Sequence, residues 1–190
     1  MGKRLGLGQL ETLVENLKRE LAMGAGTSMI GHLTTVETIT ADKTLTRADS
    51  GKMYLLDATD ETGAVTVTLP TLSTDIVGTH YTFCVTDPSD GGFGIKTGDV
   101  TDTTGDMFVG YVMLGADQAS DTSGGANGRM VAPAANDSLL TMDGNLANGG
   151  GEAGSTVKVT AVSATTWYCE GFVLTDDANS TGASIFSNAS

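Results

Sequence analysis

The chain is poor in the residue types that most often build catalytic or metal sites. Its 190 residues include two cysteines and two histidines. Cys84 and Cys169 each lie in an apolar, strand-like stretch, which favours two buried free thiols over a disulfide framework but leaves a bridge between them open. His32 and His80 have no cysteine or carboxylate at a ligand-like spacing, and no G-x-S-x-G motif occurs. We therefore expect no zinc site, no cofactor and no enzymatic activity.

Basic residues are also scarce. The chain has 10 Lys and Arg against 23 Asp and Glu, a net charge of −13. Residues 1–52 carry seven basic and six acidic side chains, net +1, whereas residues 53–190 carry three and seventeen, net −14. An acidic body repels phosphate, so we expect no nucleic-acid partner. The acidity is equally compatible with a role in keeping a β-rich protein soluble.

Long apolar runs are missing. No segment is long enough to cross a bilayer, and no apolar run follows Met1-Gly2-Lys3-Arg4, so we expect neither a membrane partner nor a secretory signal. Leu, Ile, Val and Phe together make 41 of the 190 residues, and 26 residues are Gly. Such a chain has a thin core and would gain stability from contacts with neighbouring molecules.

The N-terminal segment, residues 1–32, is predicted to be a helix followed by a linker. Apolar residues recur at spacings of three and four among charged ones, as in an amphipathic helix over residues 8–23. The apolar stripe consists of Leu10, Leu13, Val14, Leu17 and Leu21. We expect it to be an assembly contact, although docking on the chain's own β-domain, on sister subunits or on another protein all remain open.

The rest of the chain is predicted to be mainly β. Thr- and Val-rich runs cut by Asp, Gly and Pro turns predict a body over residues 33–174. The candidate strands are 33–40, 43–46, 52–57, 64–69, 80–86, 93–97, 107–114, 128–133, 156–163 and 166–174. Alternation in V-T-V-T-L (65–69) and V-K-V-T-A-V (157–162) indicates antiparallel sheets with one wet face. The expected fold is an antiparallel β-sandwich or flattened barrel with one N-terminal amphipathic helix.

Two segments of the chain are expected to reach neighbouring molecules. Residues 115–155, rich in Gly, Ala, Asn and Asp, form a long insertion that we expect to be partly structured, for example as a hairpin, and to make intermolecular contacts. Residues 175–190 are predicted to be a C-terminal arm. Its only large apolar residues, Ile185 and Phe186, are expected to be a second assembly contact.

Three motifs could carry chemistry but have simpler structural interpretations. Aspartates cluster in D-P-S-D-G-G and D-V-T-D-T-T-G-D, the oxygen donors that Ca²⁺ prefers, but their spacing does not fit a calcium loop and suits turns better. These residues are Asp87, Asp90, Asp99, Asp102 and Asp106, with Asp176 and Asp177 a weaker pair. Residues 149–154 formally match G-x-G-x-x-G but lead into a strand, so no helix dipole would receive a phosphate. Trp167 is expected to anchor the core rather than to stack on a sugar.

Several stretches resemble small structural proteins on the virion surface of tailed phages, especially marine ones. They are G-K-R-L-G-L-G-Q-L-E-T-L-V-E-N-L-K-R-E-L, T-L-T-R-A-D-S-G-K-M-Y-L-L-D, V-T-V-T-L-P, Y-T-F-C-V and G-S-T-V-K-V-T-A-V-S-A-T-T-W-Y-C-E-G. The resemblance covers about two thirds of the chain, excluding the 115–155 insertion and the tail. It implies a capsid decoration, or cement, protein.

The resemblance also implies partners and a location. We expect a homotrimer that binds the major capsid protein on the outer capsid surface of a virion assembled in the host cytoplasm. One alternative is a head- or tail-fibre module that recognises a host surface. Another, from a different class, is a Ca²⁺-dependent carbohydrate-binding domain.

Overall fold

The chain divides into two compact units, Met1–Thr34 and Thr35–Ser190. The computed structural model describes residues 11–12, 14–16, 35–57, 63–88, 91–100, 105–116, 128–143, 150–175 and 185–189. In the first unit, residues 11, 12 and 14–16 are α-helical, and Val14 is 43% exposed. Leu10, Leu13, Leu17 and Leu21 lie outside the described residues, so the rest of the amphipathic helix stays a prediction.

The second unit is mainly β, as the sequence predicts. Its strands are β1 (Val36–Ile39), β2 (Lys43–Thr44), β3 (Met53–Asp57), β4 (Val65–Thr68), β5 (His80–Asp87), β6 (Phe93–Lys96), β7 (Met107–Ala116), β8 (Arg129–Val131), β9 (Leu139–Met142), β10 (Thr156–Ala161), β11 (Thr166–Thr175) and β12 (Phe186–Ser187). Single turns of 3₁₀ helix at Arg47–Asp49 and Thr74–Ile76 connect β2 to β3 and β4 to β5.

The strands form two mixed sheets, not the antiparallel sheets that the sequence predicts. A seven-stranded sheet has the order β1-β3-β5-β10-β11-β7-β8, and a five-stranded sheet has the order β12-β9-β6-β4-β2. Among the described pairings, five are parallel and five antiparallel. Alternation of apolar and polar residues sets which face of a strand is buried but says nothing about the direction of its neighbour.

Four of the five parallel pairings arise because the chain alternates between the two sheets. From β1 to β6 it alternates: odd strands join the seven-stranded sheet and even strands the five-stranded one. Two parallel strands need a long crossover between them. Here each crossover contains a strand of the opposite sheet, so Val36 pairs with Met53 in β3, and Met53 with Thr82 in β5.

The two sheets share one hydrophobic core. Tyr54 and Leu56 of β3 are fully buried and belong to the same cluster as Val67 of β4. Across the layers, the ring of Phe108 in β7 lies 6.1 Å from that of Phe186 in β12. Both sheets therefore contribute apolar side chains to the same buried cluster.

The C-terminal residues complete this core, which corrects the expectation of an assembly contact there. Ile185 and Phe186 are 2% and 3% exposed. Phe186 pairs with Leu140 of β9, and the backbone N–H of Thr141 donates to the Ile185 carbonyl at 2.8 Å. These two side chains pack inside their own subunit because β12 adds the last strand to the five-stranded sheet.

The predicted insertion is likewise part of the body in its described portions. β8 pairs with β7 as an antiparallel hairpin, whereas β9 crosses to the five-stranded sheet and pairs with β6. The backbone N–H of Gly154 then donates to the Val85 carbonyl of β5 at 2.8 Å, and the Val85 N–H donates to the Ser155 carbonyl at 2.9 Å. The segment 115–155 therefore supplies strands to both sheets.

The role of β12 in the core can be tested by stability. We expect Phe186→Ala to lower the free energy of unfolding by about 3–5 kcal/mol, because it removes a buried ring that contacts Phe108. Urea denaturation of the isolated protein measures this. Ser187→Ala, at the neighbouring exposed position, is the matched control and should change stability by less than about 0.5 kcal/mol. Equal stability of the Phe186→Ala variant and the wild type would show that β12 is not part of the core.

Candidate assembly surface

The outer face of the seven-stranded sheet carries a group of exposed apolar side chains. Their exposed fractions range from 38% to 63%. The group consists of Val109, Tyr111 and Met113 on β7, Met130 on β8 and Phe172 on β11. We call these five residues the apolar face.

Strand register brings these residues together. Phe172 pairs with Met113, and Met113 pairs in turn with Met130, so the three form a row across neighbouring strands. Val109 and Tyr111 continue the same side of β7 at every second position. The intervening residues Phe108, Val112 and Leu114 point into the core.

Close packing of β7 on β11 keeps this part of the sheet tight. Gly110 of β7 has φ of 109°, and a Cβ there would lie 2.1 Å from the Cys169 carbonyl oxygen. Only glycine fits this contact, because another residue would meet both backbone strain and a clash. The side chains on either side of Gly110, Val109 and Tyr111, are thereby presented on the outer face.

The charges beside the apolar face are paired with each other. Glu170 of β11 lies beside Tyr111 in register and forms an ion pair with Lys158 of β10 at 3.8 Å. Both side chains are nearly half exposed, so the pair adds little stability. Its consequence is that a face of a strongly acidic chain carries no unpaired carboxylate among its described residues.

Sequence reasoning did not single out the apolar face. Its signal is the run M-F-V-G-Y-V-M-L-G-A of β7, which lacks the polar alternation of V-T-V-T in β4. A ten-residue strand with apolar residues on both sides indicates an outer face that is suited to contact with another protein. Of the residues predicted as assembly contacts, only Val14 is described with its side chain exposed, and Ile185 and Phe186 lie in the core.

The two cysteines do not form a disulfide. Both thiols are free, and they occupy opposite faces of the seven-stranded sheet, so they do not pair. Cys169 is fully buried, and burial raises the pKa of its thiol to about 12. Cys84 is only partly buried, which corrects the expectation of two buried thiols.

Trp167 is fully buried with its ring 6.0 Å from that of Tyr81, which confirms its predicted role as a core anchor.

Asp106, from the aspartate clusters, holds a loop together. It is 5% exposed, and its carboxylate accepts the backbone N–H of Leu72 at 2.8 Å. Its own N–H donates to the Asp99 carbonyl at 2.9 Å, and its carbonyl accepts the Thr97 hydroxyl at 3.2 Å. Burial raises the pKa of the Asp106 carboxyl. Asp90, Asp102, Asp176 and Asp177 lie outside the described residues.

Comparison with protein-family models finds no match, and comparison with curated proteins finds none either. The resemblance to phage virion proteins therefore stays an expectation from sequence. Within the described ranges, no three His, Cys, Asp or Glu side chains converge as metal ligands do. In the same ranges, no helix has the length and apolarity that a bilayer crossing requires.

The buried carboxyl of Asp106 predicts a pH dependence of stability. Because its folded pKa is raised above the usual 3.8, the folded state binds more protons than the unfolded state above that pH. Stability from this group is therefore present at low pH and falls as the pH rises through the folded pKa. We expect Asp106→Asn, which keeps an acceptor for the Leu72 N–H, to reduce this fall at pH values above the usual 3.8.

Urea denaturation across this pH range measures the effect. Asp75→Asn, at an exposed position, is the control and should leave the pH dependence of the wild type intact. Parallel curves for the wild type and Asp106→Asn would contradict the assignment.

Proposed function

We propose that this protein is a virion structural protein, a capsid decoration protein that binds the major capsid protein on the outer surface and stabilises the shell. It acts as a homotrimer and joins the capsid after synthesis in the host cytoplasm. The observation that carries the proposal is the apolar face, because it offers exposed aromatic and Met side chains in one plane. Aromatic and Met side chains are enriched in protein interfaces.

The charge distribution supports a protein partner at this face. The chain carries −13 overall, yet the charge nearest the apolar face, Glu170, is paired with Lys158. A shell subunit can therefore approach the apolar face without meeting an unpaired carboxylate at its centre. Depletion of charged residues at the core of a contact is typical of protein interfaces, and the five residues of the apolar face carry no charge.

The body suits attachment at many equivalent sites. We propose that its two sheets form a flattened sandwich, with the N-terminal helix as a separate anchor. A wound β-body presents one broad, rigid face to a lattice, so docking orders few side chains. Many individually modest contacts, repeated over a shell, then add up through multivalency.

Occupancy of capsids by variants tests the apolar face. We expect Met113→Lys combined with Phe172→Lys to lower the affinity for capsids lacking the protein by at least about tenfold, because both changes place charge in an apolar contact. Val162→Lys is the matched control, since Val162 is also exposed, at 49%, but lies outside the apolar face. Quantitative mass spectrometry of purified particles gives the copy number of each variant.

The same particles distinguish the main functions. Particles without the protein should lose their genome at lower temperature than complete particles. If they are equally robust but fail to adsorb to host cells, the protein is a receptor-binding module and the decoration proposal is wrong. Full occupancy by the Lys double variant, with folding verified by urea denaturation, would show that another surface docks.

The N-terminal helix has a separate test. Leu13→Asp with Leu17→Asp should abolish attachment and leave the β-body folded, because the two changes place charges in the predicted apolar stripe. Near-ultraviolet circular dichroism, with its buried Trp167 as reporter, measures the fold of the body. Undiminished attachment of the folded variant contradicts the anchor role, and unfolding of the body places the helix in its core.

A further inference from the structure

An open cleft of about 290 Å³ lies on the outer face of the five-stranded sheet. Its lining is polar: Asp42, Lys43, Thr44, Thr66, Thr68 and Lys96. It belongs to β2, β4 and β6, whereas the apolar face belongs to the other sheet. We call it the threonine cleft.

Strand register aligns the hydrogen-bonding groups of the cleft. Thr44 of β2 pairs with Thr68 of β4, and Thr68 pairs with Lys96 of β6, so the three side chains lie side by side on parallel strands. Neighbouring strands are about 4.8 Å apart, which spreads these groups over about 10 Å. Thr66, two residues before Thr68, adds a third hydroxyl on the same face.

Two opposite charges flank the threonines. Asp42 precedes β2, and one of its carboxylate oxygens accepts the backbone N–H of Thr66 at 2.7 Å, which fixes its position. Lys96 lies at the other side, on β6. Lys43 is held elsewhere: it forms an ion pair with Glu37 and lies over the Tyr54 ring.

The groups in the cleft have unused hydrogen-bonding capacity. Within the described part of the chain, the hydroxyls of Thr44, Thr66 and Thr68 make no hydrogen bond, and the Lys96 ammonium has neither a hydrogen bond nor an ion pair. Residues 53–190 contain only three basic side chains. Of these, Lys158 is paired with Glu170 and Arg129 also has an interaction, which leaves Lys96 as the one available cation.

We propose that the threonine cleft binds a saccharide that carries a carboxylate. Sugar hydroxyls can donate to the Asp42 carboxylate and exchange hydrogen bonds with the threonine hydroxyls, while the ligand's carboxylate pairs with Lys96. A small inorganic anion fits less well, because it cannot bridge groups spread over about 10 Å and would face Asp42. The volume of about 290 Å³ lies just below the range of about 300–1,000 Å³ that is typical of ligand sites, so it suits a single sugar ring.

This inference is independent of the proposed assembly role, because the cleft and the apolar face lie on different sheets. It can be tested on the isolated full chain by nuclear magnetic resonance. Glucuronate, glucose and acetate, titrated separately at equal ionic strength, are the probes. We expect glucuronate to shift the amide signals of Thr44, Thr66, Thr68 and Lys96, and to bind more tightly than glucose or acetate.

Variants separate the contributions of charge and hydroxyl groups. Lys96→Gln should weaken glucuronate binding by about tenfold, towards the affinity for glucose, because it removes a charge-assisted hydrogen bond. Thr68→Val keeps the shape of the side chain and removes its hydroxyl. It should weaken the binding of both sugars by about threefold to tenfold. Lys158→Gln and Thr160→Val, on the outer face of the other sheet, are the matched controls and should change neither affinity.

Three results would overturn the proposal. Acetate binding as tightly as glucuronate would make the cleft a simple anion site. If glucose bound as tightly as glucuronate, Lys96 would not contribute to recognition of the carboxylate. No shift at the cleft amides with any probe would show that the cleft binds no such saccharide. Unfolding curves of each variant ensure that a lost signal reflects binding and not the fold.

Discussion

A row of aromatic side chains on the inner face of the seven-stranded sheet is the feature on which the rest of the body depends. Trp167 of β11 contacts Tyr81 of β5 at 6.0 Å between ring centroids, although β10 lies between their strands. The contact is possible because Ala161, the β10 residue in register with Trp167, has a small side chain. Tyr81 contacts Tyr54, and Tyr54 stacks on Phe83 at 5.7 Å. Aromatic pairs of this geometry stabilise a core beyond their area alone.

Ion pairs cover the core at the end of the aromatic row, beside Tyr54. The strands β1 and β2, with which the chain starts to alternate between the sheets, supply two of the charged residues. Glu37 of β1 and Lys43 of β2 belong to edge strands of different sheets, and they pair with each other. Lys43 also lies 5.3 Å from the centre of the Tyr54 ring, which is a cation–π contact. Lys52 bonds to Glu37 at 3.2 Å and to Asp49 at 2.6 Å. The edge of the core is thus covered by paired charges rather than left as open apolar surface.

The pKa values of these acids reflect the pairing. Hydrogen bonds from Lys43 and Lys52 lower the pKa of Glu37. For Asp49, burial works in the opposite direction, but hydrogen bonds from Lys52 and Thr46 outweigh it and lower the pKa to about 2. The carboxylates therefore remain charged, and the network persists, over the ordinary pH range. Asp106, whose main partners are backbone N–H groups in a buried loop, shows the opposite shift because burial dominates.

The amino-acid sequence predicts the positions of most strands and their buried faces, but not which strands pair or in which direction. The alternation of V-T-V-T in β4 predicts which face is buried, and Val65 and Val67 are indeed in the core. Whether two neighbouring strands are parallel or antiparallel depends on the path of the chain between them. The crossover strands that separate parallel partners here belong to the opposite sheet, and no periodic pattern in the sequence indicates this path. Residues 175–190 are predicted to be an arm because their two large apolar residues, Ile185 and Phe186, follow a polar stretch. Their pairing with β9, some 45 residues earlier, is a long-range contact that no local pattern encodes.

The two candidate surfaces are related by the core itself. In the flattened sandwich that we propose, both sheets bury their inner faces in one cluster, and their outer faces point away from each other. A subunit that docks through the apolar face of β7, β8 and β11 would therefore turn the threonine cleft of β2, β4 and β6 towards the surroundings. Thr66 and Thr68 of the cleft come from β4, whose Val65 and Val67 lie in the core, so one alternating strand contributes to the fold and supplies polar groups to the cleft. In β7 the pattern is apolar on both sides, and there the outer face is suited to protein contact instead.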